Sequence, residues 1–232
     1  MTTDRVSTMQ AIVQDGYGAP ERVLRPAQID RPQVGTDDVL VRVRATSVNT
    51  PDWATVAGVP YVLRLRSGLR RPSQPVRGSD VAGVVEAVGR DVTDLRPGDE
   101  VLGSLWGSSI GSPAGTFAQY TIAPASQLVT KPAGLSFEEA AASVMTGLTA
   151  LIAIRDVGGV GPGARVLING ASGGVGTMAV QTAKALGAEV TGCAAPATWS
   201  WSGRSAPTRS STTRSRTSRR ASCGTTSSWT TC

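Results

Sequence analysis

The sequence contains no histidine. Imidazole proton relays and His-ligated zinc sites are thereby excluded, and any proton transfer falls to carboxylates, hydroxyls or water. Its three cysteines, Cys193, Cys223 and Cys232, show neither the paired spacing of a zinc knuckle nor the density of a secreted disulfide framework. Free thiols in a reducing compartment are the expectation. Long hydrophobic runs are scarce too: the first ten residues lack an apolar targeting core, and the most apolar stretch, residues 148–154, is too short to cross a bilayer. A cytoplasmic location and no membrane partner follow as expectations. Acidic residues stop altogether at Glu189, whereas six of the 23 basic residues (Arg204, Arg209, Arg214, Arg216, Arg219 and Arg220) lie beyond it. The net charge of +6 therefore belongs to the tail, the body is neutral, and no nucleic-acid partner is expected.

What is present is a chain of 232 residues, 40% hydrophobic, with room for one large domain or two small ones. Residues 9–14 and 39–45 read as strands, the second with Val39, Val41 and Val43 spaced by two on one face. Strands over 79–89, 99–105, 115–123 and 127–129 follow, punctuated by turn clusters such as Arg96-Pro97-Gly98-Asp99. Many short strands with this punctuation argue for a small barrel or sandwich. At Ser136 the pattern changes. Ser136 and Glu139 form a capping box before an alanine-rich helix over 140–154, and Gly158 to Gly163 break it. Residues 165–169 (RVLIN) read as a buried parallel strand, 177–186 as a second helix ended by Gly187, and 189–192 as another strand. That order is one β-α-β unit, with a right-handed crossover expected.

Between that strand and helix lies Gly170-Ala171-Ser172-Gly173-Gly174-Val175-Gly176, a variant of G-x-G-x-x-G with Ala171 in the first glycine's place. A small first residue permits the tight turn. Gly173 lets the backbone approach a pyrophosphate, Gly176 lets helix and strand pack closely, and the helix N-terminus offers N–H groups to the anion. The strand before and helix after supply the context that the motif needs to mean dinucleotide binding.

These motifs stand in a recognisable order: MQAIVQDGYG at the start, SVNTPDW at 47–53, GSDVAGVVEAVG at 78–89, PGDEV at 97–101, LSFEEAAASVMTGLTA at 135–150, then GASGGVG. From about Met9 to Gly192 the chain resembles the zinc-independent quinone-oxidoreductase branch of the medium-chain dehydrogenase/reductase superfamily. The resemblance implies an N-terminal all-β GroES-like barrel domain on the substrate side (residues 9–132), an incomplete α/β Rossmann domain (133–193), and a disordered C-terminal tail (194–232). It implies hydride transfer from NAD(P)H to a quinone, an enone or a related carbonyl substrate, in a cleft between the two domains, with the cofactor carrying the hard chemistry. Asn49 and Asp52, in the V-N-x-x-D segment, are the implied catalytic residues beside nicotinamide and substrate. Thr146 is implied on the nicotinamide side, and Ala171, Ser172, Gly173, Gly174, Val175 and Gly176 at the pyrophosphate. Zinc-containing relatives carry a cysteine where this chain has Val48-Asn49 and Gly-His-Glu where it has Gly78-Ser79-Asp80, so no metal site and no zinc are implied. Full-length relatives are expected to be homodimers, and the partner of the chain is a small-molecule substrate.

Purely structural alternatives stand beside these roles. Asn49 could cap the helix that follows, Asp52 could be a first-turn acid favoured by the helix dipole, and Thr146 could bond back to a helical carbonyl. Trp53 reads as packing and Asp80 as structural.

From Thr198 to Cys232, 25 of 35 residues are Ser, Thr or Arg, with no Leu, Ile, Val, Met or Phe, a composition unable to form a core. Re-reading the codons one nucleotide earlier, with suitable synonyms, turns Cys193 onward into CSTRNLELVRSLGADEVVDYTQPDF and Gly224 onward into RYDVVLD. Helix, strand, loop and strand return in that reading. A reading-frame shift near Gly192 is therefore expected, and the restored Ser-Thr-Arg after the second strand favours NADP(H) over NAD(H). The alternative function is a non-catalytic scaffold whose basic tail binds nucleic acid.

Overall fold

The computed structural model describes residues 7–106 and 115–194. The expected disordered and re-framed tail, beyond Ala194, lies outside the described residues. Two compact units divide the chain between Met145 and Thr146.

In the first unit, β1 (Thr8–Gln14), the short helix α1 (Pro20–Val23) and β2 (Leu24–Asp30) make an antiparallel pair, Thr8 opposite Asp30 and Gln14 opposite Leu24. β3 (Asp38–Ala45), β4 (Asp80–Val88), β5 (Glu100–Ser104), β6 (Tyr120–Pro124) and β7 (Leu128–Thr130) form a five-stranded sheet. Its order is β6-β3-β4-β5-β7, and every neighbouring pair is antiparallel. Isolated bridges from Ala11 to Ala118 and from Val13 to Val76 tie β1 to the chain flanking that sheet. The sequence accounts for these strands through β-branched residues. Val39, Val41, Val81, Val85 and Val101 are buried with Leu95, Leu105, Ala123 and Leu128 in one cluster. Each such side chain removed from water contributes roughly 1.5–3 kcal/mol. Val39 and Val41 are buried on the face expected from their spacing; Leu40 on the other face is buried too, while Arg42 and Arg44 beyond it are exposed. Between β3 and β4 the chain leaves the sheet as α2 (Thr50–Ala57), a 3-10 turn at Tyr61–Leu63 and α3 (Arg64–Ser67).

Helix α4 (Phe137–Leu151) begins at the expected capping box: Ser136 N donates to Glu139 Oε2 at 2.9 Å, and Glu139 N to Ser136 Oγ at 3.1 Å. It runs on as a π-helical segment, Ile152–Val157. The continuous helix Phe137–Val157 is 21 residues long with a mean hydropathy of 1.4 in its most apolar window, long and apolar enough to cross a membrane by length and composition alone. The expectation that no stretch reaches that length is corrected here, because alanine and glycine fill the gaps between larger apolar residues. Glu138, Glu139, Arg155 and Asp156 stand at its ends, and Ala140, Ala141, Ala150 and Ile154 are buried in the cores of the two units. Only 22% of the most apolar window is buried, and Leu148, Ile152 and Val157 are exposed.

In the second unit, β8 (Arg165–Asn169), α5 (Gly174–Ala185) and β9 (Glu189–Cys193) complete the β-α-β unit, the strands parallel with Arg165 opposite Glu189 and Asn169 opposite Cys193. Ala150, Ile154, Ile168, Ala179 and Ala183 form its small core. Among the described residues this sheet has two strands, and Leu167 on β8 is 63% exposed.

Candidate functional site

The strand-to-helix turn of the second unit is built by two glycines with separate tasks. Gly170 adopts a φ of +77°, the left-handed conformation that a tight turn after β8 requires. The turn therefore rests on Gly170, one position before Ala171, to which the motif assigned it. Gly170 N and Ala171 N both donate to Cys193 O, at 2.8 and 2.9 Å, pinning the loop to the end of β9. Gly173 N donates to Gly170 O at 2.9 Å, and Thr177 closes the first turn through its N–H (2.8 Å) and hydroxyl (2.9 Å) to Gly173 O. At Gly176 a Cβ would stand 2.1 Å from Gly170 O and 2.8 Å from Ala171 Cα, both backbone atoms, so only glycine lets the helix begin there.

Helix α5 starts at Gly174 rather than at the expected Thr177, which makes Gly173 the N-cap and places Gly174, Val175 and Gly176 in the first turn. The N–H groups of those three residues have no intrahelical acceptor by helix geometry, and they carry the positive end of the dipole. Ser172, Gly173, Gly174 and Val175 are exposed, while Ala171 and Gly176 are half-buried. Thr146 lies beside this turn: a Cβ on Gly174 would be 3.1 Å from Thr146 Cγ2. The loop and Thr146, drawn from sequence positions 25 residues and more apart, are thus neighbours.

The first unit holds a second constellation around α2. Asn49 occupies the N-cap, and Asp52 Oδ2 accepts its backbone N–H at 2.9 Å, one half of a capping box. Asp52 is buried, and its Oδ1 accepts the Ser79 hydroxyl at 2.7 Å. Burial pushes the Asp52 carboxyl above its ordinary value, helped by the nearby Asp80 charge and opposed by hydrogen bonds from Ser79 and Asn49. Asn49 Nδ2 donates to Ser47 Oγ and to Asp80 Oδ2, both at 2.9 Å. With both amide hydrogens engaged, the Asn49 side chain has only its carbonyl oxygen left for a further partner. Asp80 has no exposed surface; its Oδ2 also accepts from Ser47 Oγ at 2.7 Å and from Met145 N at 3.2 Å, while Oδ1 is buried without a partner.

Sequence reasoning singled out Asn49 and Asp52 and read Asp80 as structural, which agrees with its bonds to Ser47, Asn49 and Met145 N, but it gave no role to Ser47 or Ser79. Arg77 was missed as well. Its Nε donates to Gln14 Oε1 at 2.6 Å, and burial lowers its pKa against attraction from Tyr17 and Asp52. Among the described residues, no group of three or more His, Cys, Asp or Glu gathers as a metal-binding cluster.

Comparisons with known proteins agree with this architecture. The alcohol dehydrogenase GroES-like domain family matches residues 35–133. The chain is 35% identical over 186 residues to the chloroplastic quinone-oxidoreductase QR1 of Triphysaria versicolor, covering 76% of this chain and 52% of that protein. Among solved structures, the quinone oxidoreductase of Coxiella burnetii superposes with a TM-score of 0.71 at 33% identity, covering 82% of this chain and 57% of the other. The chain belongs to the quinone-oxidoreductase-like medium-chain dehydrogenases/reductases. It spans about half the length of the curated relatives it matches. Two further members of the family bear on the cofactor. Human mitochondrial NAD(P)H oxidoreductase RTN4IP1 is 34% identical over 212 residues, 82% of this chain and 50% of that protein. The Escherichia coli quinone oxidoreductase, solved in complex with NADPH, superposes with a TM-score of 0.68 at 30% identity, covering 82% and 53%. Within the family, the small antiparallel β domain is the GroES-like part, and the β8-α5-β9 unit is the opening of a Rossmann-type sheet.

Proposed function

We propose that this chain carries the substrate-side domain and the first cofactor-binding turn of an NADP(H)-dependent oxidoreductase that works without zinc and reduces a quinone, an enone or a related carbonyl. The observation that carries this reading is the turn at Gly170–Gly176, which at Gly176 has no room for even a methyl group. That cradle fits a dinucleotide pyrophosphate. The N–H groups of Gly174, Val175 and Gly176 would meet the anion, Ala171 and Ser172 would border it, and Thr146 would stand on the nicotinamide side. The nicotinamide supplies the hydride when bound. Asn49, half-buried, is the group proposed to reach substrate and nicotinamide, and Asp52 acts through the capping box that orients it. Where zinc-containing relatives carry a cysteine and a Gly-His-Glu triplet this chain has Val48-Asn49 and Gly78-Ser79-Asp80, and there Asn49 Nδ2 donates to Asp80 Oδ2 at 2.9 Å and Ser79 Oγ to Asp52 Oδ1 at 2.7 Å, a set without thiolate or imidazole. The preference for NADP(H) rests on the restored Ser-Thr-Arg alone, and the E. coli relative's complex with NADPH agrees with it.

The test is a titration with NADPH and with NADH, followed by nucleotide fluorescence. It uses the chain as written and the chain with its tail re-read in the alternative frame, each beside its Gly176→Val variant. The re-framed chain is expected to bind NADPH more tightly than NADH and to reduce a quinone. Gly176→Val is expected to weaken nucleotide binding at least about tenfold, or about 1.4 kcal/mol. A re-framed chain that binds neither nucleotide, or a Gly176→Val variant that binds as well as its parent, overturns the proposal.

A further inference from the structure

The segment between α2 and β4 is built inside out. Its polar groups turn toward the protein: Arg64 Nε donates to Gly58 O at 3.0 Å, and its guanidinium lies between two aromatic rings, 4.5 Å from the centroid of Tyr17 and 4.7 Å from that of Tyr61. The Tyr17 hydroxyl donates to Ser67 O and Gly68 O, at 3.0 and 2.6 Å, and Ser73 N closes the loop onto Ser67 O at 2.8 Å. These bonds hold the segment in place while Tyr61, Val62, Leu65 and Leu69 face outward. Tyr61 is 72% exposed, Val62 63%, Leu65 70% and Leu69 67%. Val62 and Leu65 are three apart on one helical path, which puts them on the same side. Four large apolar residues this exposed within nine positions exceed the scattered single residues of an ordinary surface.

The charge around them has one sign. Five arginines (Arg64, Arg66, Arg70, Arg71 and Arg77) and no acidic residue lie between Asp52 and Asp80. Arg70 and Arg71 are exposed directly after Leu69. The acid whose charge reaches Arg71 is Asp15, and it is already paired with Arg25 at 2.5 Å. Apolar side chains beside unneutralised arginines suit an anionic lipid surface, where the arginines meet headgroups and the apolar groups enter the acyl boundary. We infer that residues 61–71 form a docking surface for an anionic lipid membrane, rigidly presented by the Tyr17–Arg64–Tyr61 stack.

The full chain would be sedimented with phosphatidylcholine vesicles, with and without roughly a third phosphatidylglycerol. It is compared with Leu65→Ser/Leu69→Ser, with Arg70→Gln/Arg71→Gln and with Val129→Ser, which removes an exposed apolar residue elsewhere (59% exposed). The chain is expected to sediment with the anionic vesicles only. The leucine pair is expected to weaken that binding about tenfold, the arginine pair to weaken it and flatten its salt dependence, and Val129→Ser to leave it unchanged. Because the leucine substitutions leave every charge in place, binding by the arginine-rich tail alone would survive them, and that result overturns the inference. Absence of sedimentation overturns it too, as does an equal loss in Val129→Ser. A change of oligomeric state in the leucine variant without vesicle binding would assign the surface to a second copy instead. None of these readouts needs cofactor or turnover, so they stand or fall independently of the proposed activity.

Discussion

Asp52 and Asp80 show how much a single carboxylate depends on what faces it. Both are buried, yet Asp52 has a donor on each oxygen, whereas Asp80 takes three donors on Oδ2 and none on Oδ1. Asp80→Ala would remove the buried acceptor shared by the half-buried Ser47 hydroxyl, Asn49 amide and Met145 N–H. A loss of about 3 kcal/mol in urea-unfolding stability is expected, more than for Asp80→Asn. Asp52 makes a pH prediction. The folded protein holds its pKa above the ordinary value, so its contribution to stability is full below the ordinary carboxylate pKa and is lost as pH rises through the raised one. Asp52→Asn has no such loss. The stability of the variant minus that of the wild type is therefore expected to grow as pH rises through this window; urea midpoints in a series of buffers measure it, and a flat difference would refute it. Asn49 and Asp52 came into view only through the resemblance of the V-N-x-x-D segment to the family's, not through composition or spacing. It hid Asp80's part, because the Asn49–Asp80 contact spans 31 positions and no local pattern encodes it.

At the scale of elements, legibility followed periodicity and failed where a second demand overrode it. β3, β4, β5 and β8 stand where apolar alternation or an apolar run announced them. β2 escaped notice because Leu24–Asp30 carries Arg25, Pro26 and Asp30 and pairs with β1 alone, the edge position where proline is tolerated. Helix α5 begins three residues earlier than propensity suggests, since Gly174 and Gly176 are poor helix formers kept for the close approach described above. The capping box of α4 was legible in full, and it has a measurable worth: Ser136→Ala is expected to lower stability by about 1 kcal/mol, read from thermal or urea unfolding.

At the scale of the molecule, the two units differ in how much they bury. Among the described residues, the first has a five-stranded sheet around a cluster rich in valine and leucine, and the second has two strands and a core in which three of the five buried residues are alanine. Amide hydrogen exchange is expected to be slowest in β3 and β4, each flanked by two strands, and faster by orders of magnitude in β8 and β9; comparable protection in both units would contradict this ordering. The change of pattern at Ser136 lies before the division of the two units, which falls between Met145 and Thr146 inside α4. The inside-out segment at 61–71 was not readable in the sequence, because the Tyr17–Arg64 stack joins residues 47 positions apart. One consequence belongs to the small parallel sheet. Among the described residues β8 has β9 as its single neighbour, and Leu167 is bare on a strand whose composition suits burial on both faces. Such a strand is a template: a separately supplied peptide of matching pattern could add along the edge of β8 that no described strand covers, so further strands of the sheet could be tested as fragments provided in trans.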